Sequence, residues 1–156
     1  MKTHDYWMAM AIAEAERSAK NGGGPFGCVI VKNGQLVASA TNSVTHDNDP
    51  TAHAEVNAIR QACKQLHTFN LEDCILYTSC EPCPMCLAAC YWAHIERIYY
   101  AGDRVDAADA GFDDDHIYEE FKVPIDQRKI AMEQILADLG KNPFLAWEQN
   151  NERTEY

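Results

Sequence analysis

Two short stretches of the chain hold the residues whose types and spacing could perform chemistry. His53 and Glu55 lie two residues apart, and Cys83 and Cys86 follow about thirty residues later. An imidazole and two thiolates are ligands that zinc accepts, and three protein ligands are typical of a catalytic zinc that keeps its fourth position for water. The carboxylate of Glu55 would then carry protons instead of binding the metal.

The choice among four closely spaced cysteines follows from helix geometry. Cys83 and Cys86 are three residues apart at the start of a predicted helix, so both thiols can point the same way. Cys90 lies one turn further along and suits a buried apolar position, whereas Cys80 lies at the exit of a strand. A fourth ligand from Cys80 or Cys90 would make a closed structural site, but Glu55 would then have no role.

Hydrophobic periodicity and turn signals predict the elements that must position these residues. Helices are predicted over 3–20, from 53 onward, from 82 or 84 to about 93, near 115–122 and over 142–149. Strands are predicted over 26–32, 35–41, 74–78 and 97–101, and residues 129–134 could be a fifth strand or the start of a helix. This order predicts an α/β fold, a three-layer α/β/α sandwich around a mixed five-stranded sheet.

The two stretches that hold the candidate residues, one with His53 and one with Cys83, both lie at predicted helix starts. His53 and Glu55 are two residues apart, a spacing that splays side chains around a helix. They can serve one site only if it lies off the end of their helix and the helix carrying Cys83 begins at the same place. The partial positive charge of helix N-termini would also help to hold thiolates for a metal.

Composition limits the possible partners and location. A chain of 156 residues predicts a single domain over 1–156. The 13 Lys and Arg residues against 24 Asp and Glu residues give a net charge of −11, which argues against nucleic acid as a partner. Seven cysteines do not predict a disulfide framework. With neither a signal peptide nor a membrane-length apolar run, we expect no membrane association and a cytoplasmic protein with reduced thiols.

The combination of His53, Glu55 and a proline-flanked Cys83 and Cys86 resembles the cytidine deaminase-like superfamily of zinc nucleobase deaminases. The resemblance covers nearly the whole chain. The residues that most resemble the bacterial guanine deaminase branch are the run 110–114 (Ala-Gly-Phe-Asp-Asp) and the terminal Tyr156, with further similarity at 24–27, 42, 49–55, 80–86, 91–93, 106–108 and 155.

This resemblance implies hydrolytic deamination of a free purine base, guanine plus water giving xanthine plus ammonia, in purine catabolism or salvage. It implies one Zn²⁺ per subunit on His53, Cys83 and Cys86, with Glu55 as the catalytic residue. The implied substrate contacts are Phe26, Asn42, Ala54, Trp92, Asp114 and Tyr156. The run 113–115 leaves open whether Asp113 or Asp114 faces the base.

The resemblance also implies a homodimer in which the segment 141–156 of one subunit covers the active site of the other, so that Tyr156 would act in cis or in trans. Three other functions compete with this interpretation: a tRNA adenosine deaminase, a cytosine or pterin-type deaminase of the same superfamily, and a noncatalytic zinc module. Without the resemblance, Trp92 would be read as a core residue and Asn42 as a turn residue.

Overall fold

A computed structural model describes residues 2–156, which fall into two compact units, one ending at Asp115 and the other comprising His116–Tyr156. The first unit contains the helices α1 (His4–Lys20), α2 (Val44–Asp47), α3 (Ala54–Leu66), α4 (Pro84–Trp92) and α5 (Arg104–Asp109). It also contains the strands β1 (Gly27–Lys32), β2 (Gln35–Thr41), β3 (Cys74–Cys80) and β4 (Arg97–Gly102). These bounds match the predicted elements closely, but the short helices α2 and α5 were not predicted.

The strands form one mixed sheet in the order β2-β1-β3-β4. β1 pairs antiparallel with both β2 and β3, whereas β3 and β4 are parallel. Asn33 and Gly34 join β1 to β2, with φ angles of 52° and 73°. Two positive φ angles suit the hairpin turn that the Asn-Gly pair predicts.

The prediction of a five-stranded sheet was wrong, because the sheet of the described residues has four strands. Residues 129–134 form neither a strand nor a helix, and Ile130 is 80% exposed. A strand needs a paired neighbour, and the second unit contains no other strand among its residues. Within its own unit, this stretch therefore has no strand to pair with.

One face of the sheet is covered by α1. Trp7 and Ala11 pack in a cluster with Val29, Val31 and Tyr77, which are alternate residues of β1 and one residue of β3. The helix approaches closely at Gly27, where a Cβ atom would collide with the backbone of α1. Only glycine allows this contact at the start of β1.

The opposite face is covered by α3 and α4. Ala54, Ala58 and Ala62 recur every four residues along α3, so one face of that helix is small and apolar. They pack against the residues of the strands that point the other way, including Cys28, Ile30, Ala38 and Leu76. The predicted three-layer arrangement of helices around a mixed sheet is thereby confirmed.

The second unit has little regular structure. It contains most of α6 (Asp115–Lys122), a 3₁₀ turn (Ile125–Gln127) and α7 (Asn142–Gln149), and both helices were predicted. Many large apolar side chains of this unit are exposed, among them Ile130, Ile135, Leu136 and Phe144. Among the residues from 2 to 156, no helix combines the length and apolar character needed to cross a bilayer.

Candidate active site

The start of α3 and the start of α4 each present a candidate ligand. His53 is the N-cap of α3, with extended backbone (φ −70°, ψ 155°) and no capping hydrogen bond from its side chain. Cys83 is the N-cap of α4 (φ −65°, ψ 167°), and Pro84 follows at the first helical position. Because both residues stand just outside their helices, the site lies off two helix ends, as the residue spacing required.

These helix starts bring three ligand atoms together. His53 Nδ1 lies 3.5 Å from Cys83 Sγ and 3.4 Å from Cys86 Sγ. In a tetrahedral zinc site, Zn–S bonds of about 2.3 Å and Zn–N bonds of about 2.0–2.1 Å place sulfur and nitrogen roughly 3.6 Å apart. The donor set and its spacing therefore fit zinc with one position left open.

Neither Cys80 nor Cys90 joins this group. Within the described part of the chain, two groups of potential ligands have their atoms within 4.8 Å of one another: His53 with Cys83 and Cys86, and the aspartate run 113–115. Neither group includes Cys80 or Cys90. Burial raises the pKa of the Cys90 thiol to about 12, which is typical of an inert core cysteine. The closed structural site considered from the sequence thus lacks its fourth ligand.

The pKa values of the two thiols shift in opposite directions. The pKa of Cys83 falls to about 4, chiefly because the Cys86 thiol donates a hydrogen bond to it and secondarily through His53, although burial opposes the shift. The pKa of Cys86 is raised by the same hydrogen bond and by burial. Cys83 is thus held as a thiolate, the form that binds a metal.

Glu55 is placed beside the ligand group but is not part of it. It is the second residue of α3, and its side chain is buried with 5% exposure. Burial raises the pKa of its carboxyl group. Thr78 Oγ1 donates to Glu55 Oε1 over 3.0 Å and so fixes the orientation of the carboxylate. A buried carboxyl group with a raised pKa is suited to proton transfer.

Thr78 was not identified from the sequence as a site residue. It lies in β3 on the face that carries Leu76, the face covered by α3. The alternation along the strand would have placed its hydroxyl toward that helix, but only the tertiary structure pairs it with Glu55.

A cavity of about 570 Å³ opens beside His53, Glu55 and Cys83. This volume lies within the range of pockets that bind small molecules. Three predicted substrate contacts line it, namely Phe26, Asn42 and Asp114, together with the glycine run 22–24 and residues 111–113. The structure thus brings half of the predicted substrate contacts to the zinc ligands.

The side chain of Asn42 is held in a defined orientation. The side-chain Oδ1 of Asn42 accepts a hydrogen bond from the backbone N–H of Val44 at 3.1 Å. The backbone N–H of Asn42 donates to the Phe26 carbonyl, also at 3.1 Å. A Cβ atom on Gly24 would lie only 2.9 Å from Asn42 Cγ, so glycine leaves room for the amide. With its oxygen engaged, Asn42 offers its NH₂ group to a ligand.

Two aromatic rings form part of the cavity wall. Phe26 and Phe112 pack edge to face, with ring centroids 5.0 Å apart and an interplanar angle of 85°. Phe112 was not predicted as a site residue, although it lies within the run 110–114 that carries the family resemblance. A planar base could pack against such a wall.

Burial distinguishes the two adjacent carboxylates. Asp113 is exposed, and its Oδ1 accepts from the backbone N–H of Asp115 at 3.0 Å. Asp114 is half-buried, and its pKa is raised by burial and then by the charge of Cys83. Both residues line the cavity, but Asp114 is the one that is partly buried.

The loop that carries Phe112 and Asp114 is attached at both ends. A capping box at the start of α5 joins Asp103 and Asp106, and Phe112 N–H donates to the Ala107 carbonyl. Arg104 contacts Glu81 at 3.4 Å and Asp115 at 3.5 Å. Arg104 thereby links Glu81, in the loop between Cys80 and Cys83, to the end of the 111–115 loop. Its position in the sequence did not suggest this role.

The remaining predicted substrate contacts lie elsewhere. Ala54 is the first residue of α3 and is fully buried in the core. Trp92 ends α4, at the opposite end from Cys83, and is 70% exposed. Neither is among the cavity-lining residues. Tyr156 belongs to the second unit, where its ring packs against Trp147 with centroids 6.2 Å apart. For these three residues, contact with a substrate stays a prediction.

Comparison with known proteins identifies the family. Residues 1–102 match the model of the family described as "Cytidine and deoxycytidylate deaminase zinc-binding region", and the chain belongs to this family. It is therefore a zinc-dependent deaminase, which is a hydrolase.

Individual relatives differ in how much of the chain they resemble. The chain is 50% identical to the guanine deaminase of Bacillus subtilis (strain 168) over 98% of this chain and 99% of that protein. An X-ray structure of guanine deaminase from Bacillus subtilis matches with a TM-score of 0.97 and 49% identity, covering 99% of both chains. A tRNA-specific adenosine deaminase of Aquifex aeolicus (strain VF5) is 43% identical over 62% of this chain and 64% of its own length.

Proposed function

We propose that this chain is a guanine deaminase, which converts guanine and water to xanthine and ammonia in purine catabolism or salvage. One observation carries the proposal: a three-ligand zinc site with a buried carboxylate opens on a base-sized cavity, in a chain that resembles a guanine deaminase from end to end. The likeness to tRNA deaminases is confined to about two thirds of the chain.

His53, Cys83 and Cys86 would hold the zinc ion, one per chain. When bound there, zinc lowers the pKa of a water molecule from about 15.7 to about 7, which makes a nucleophile available at neutral pH. Glu55 takes the proton of the attacking water and delivers it to the ring nitrogen beside the reacting carbon. It then transfers the second proton to the leaving amine, so that ammonia departs and a carbonyl group remains on the ring.

Base recognition is assigned to the predicted substrate contacts. Guanine presents acceptors at its carbonyl oxygen and imidazole nitrogen, which suit the NH₂ group of Asn42, and N–H donors, which suit the carboxylate of Asp114. The pair formed by Phe26 and Phe112 would contact the flat face of the base. Ala54, Trp92 and Tyr156 complete the proposed set.

We further propose that residues 1–156 act as one catalytic domain in a homodimer, with the segment 141–156 covering the partner's site. Support comes from the second unit, whose exposed apolar residues need a surface to pack on. Seven free cysteines and the acidity of the chain are consistent with a reduced, cytoplasmic protein that binds neither nucleic acid nor membranes.

A substrate panel tests the reaction directly. The zinc-loaded protein is incubated with guanine, adenine, cytosine, a pterin and an anticodon stem-loop, and ammonia release is followed for each. Release from guanine alone supports the proposal. Release from the stem-loop or from another base, with none from guanine, replaces guanine deamination by one of the competing functions. No release from any substrate favours the noncatalytic zinc module.

Mixed dimers test the role of the tail. One chain type carries Glu55→Gln with an intact tail, and the other has an intact Glu55 but lacks the last residues, including Tyr156. If the tail acts in trans, mixing the two inactive types restores part of the activity, because one mixed site has both groups. If the tail acts in cis, mixing restores nothing.

A further inference from the structure

A single amide on α3 joins the two backbone segments that flank the cavity. Asn57 Nδ2 lies 3.0 Å from the carbonyl oxygen of Thr41, 2.9 Å from Ser43 Oγ and 3.3 Å from the carbonyl oxygen of Ala52. Asn57 is itself part of the helix, since its backbone N–H donates to the His53 carbonyl at 2.9 Å.

The three acceptors border the residues of the site. Thr41 ends β2 and immediately precedes Asn42, and Ser43 immediately follows it. Ala52 immediately precedes His53. A direct bond from Ser43 N–H to the Ala52 carbonyl, at 2.9 Å, joins the same two segments. Asn57 thus contacts the segment that carries the proposed base-recognition amide and the segment that carries a zinc ligand.

The amide is suited to hold a distance between these segments. Its two N–H groups are shared among three acceptors. The loop between Asn42 and His53 has no strand pairing, so besides this amide its ends are joined by the Ser43–Ala52 backbone bond. The amide is carried by a regular helix whose first turn is fixed by its own hydrogen bonds. Loss of the amide would let the Asn42 segment shift relative to His53, although neither residue is itself changed.

We propose that Asn57 is a positioning residue for base recognition, acting through Asn42. It touches neither the proposed substrate contacts nor the zinc ligands through its side chain amide, but it sets where the Asn42 amide stands relative to the reacting centre. This inference rests on the proposed function, because it takes Asn42 to bind the base.

A double-mutant cycle on the zinc-loaded, full-length protein tests the proposal. We expect Asn57→Ala to lower kcat/KM for guanine about tenfold, mainly through a higher KM. A loss of this size corresponds to one hydrogen bond to the base that a displaced Asn42 no longer makes. In a protein that already carries Asn42→Ala, the same change should lower kcat/KM by less than about twofold, since residues acting as one unit are not additive. Zinc content should stay at one ion per chain.

Two further variants separate positioning from folding. Asn57→Asp keeps the size of the side chain but replaces the donor by a carboxylate, so it should reproduce the rise in KM without leaving a cavity. Asn70→Ala is the matched control, because Asn70 also orders a turn by side-chain hydrogen bonds, at the end of β3 remote from Cys80. Its KM should equal that of the unchanged protein.

Several results would overturn the proposal. Equal losses from Asn57→Ala with and without Asn42→Ala would show that Asn57 acts independently of Asn42. Loss of zinc, or a fall in kcat alone with unchanged KM, would mean that Asn57 supports the zinc ligands or the general stability of the fold. If the unchanged protein releases no ammonia from guanine, it is the proposed function that fails, and the same cycle is then measured with the base that is turned over.

Discussion

The two halves of the site are built differently. The metal-binding half consists of His53, Glu55, Cys83 and Cys86, which stand at the starts of α3 and α4, with Glu55 hydrogen-bonded to a strand residue. The proposed recognition half consists of Phe26, Asn42, Phe112 and Asp114, which lie on connecting segments. Phe112 is 45% exposed. The proposed chemistry thus belongs to regular, packed elements and the proposed recognition to connecting segments.

This difference predicts that the two halves of the site respond differently to substitution. The helix starts are held by the alanine face of α3 and by the sheet, so they tolerate little displacement. The recognition loops are held by a few hydrogen bonds and by the ion pairs of Arg104. Substitutions in the first half should therefore abolish turnover, and substitutions in the second should change affinity for the base.

The largest expected effect is the loss of the metal. Cys86→Ala removes one of three ligands, so zinc content should fall far below one ion per chain and deamination should disappear. Cys90→Ala is the matched control, because Cys90 lies one turn further on the same helix and is a buried core thiol. It should retain zinc. Metal analysis of both purified proteins decides the matter, and zinc loss in the Cys90 variant alone would reverse the ligand assignment.

Replacing the proton carrier comes next. Glu55→Gln should lower kcat by about 10²–10⁴-fold, because a positioned acid–base group is lost while the side chain keeps its size. Zinc content should not change. Glu81→Gln serves as comparison, since Glu81 lines the same cavity but pairs with Arg104 at a partly exposed position; kcat should change by less than about threefold. Steady-state kinetics with equal effects of the two changes would contradict the role of Glu55.

The recognition half predicts a smaller effect that appears in KM. Asp114→Asn should raise KM for guanine about tenfold, because a charged acceptor becomes a neutral amide. Asp113→Asn should change KM by less than about twofold, since that exposed carboxylate bonds to the backbone of Asp115. The pair of measurements decides which carboxylate faces the base. A larger effect at Asp113 would assign the contact to the other residue.

The smallest expected effect concerns the attachment of the recognition loop. Arg104→Ala breaks two partly exposed ion pairs, so KM should rise only about two- to fivefold, with kcat and zinc content unchanged. Because such pairs are screened by salt, the difference between the two proteins should shrink at high ionic strength. An effect on kcat, or an effect on KM that salt does not reduce, would mean that Arg104 acts on the metal-binding half instead.

The two halves also differed in how well they could be predicted. The proximity of the three potential ligands and Glu55 could be predicted because their spacing along two helix starts is local, and helix geometry brings such residues together. The contacts that Thr78, Asn57, Phe112 and Arg104 make around the site were not predicted. Each acts through a partner distant in the chain or through a loop whose path no periodicity describes.

The prediction of a fifth strand was wrong for a related reason. Residues 129–134 have enough apolar character for a strand, but a strand exists only where a neighbour can pair with it. The availability of a sheet edge is a property of the folded molecule. The short helices α2 and α5 were likewise missed, since four and six residues carry too little periodic pattern.

The sequence by itself indicated the layered α/β architecture, the three potential zinc ligands and the neighbouring carboxylate of Glu55, because hydrophobic period, turn residues and ligand spacing are local properties of the chain. The tertiary structure alone decided that the sheet has four strands, that Asp114 is partly buried while Asp113 is exposed, and that Asn57 joins the segments of Asn42 and His53. These features depend on which distant segments meet. Burial and hydrogen bonding between such segments are set only when the chain has folded.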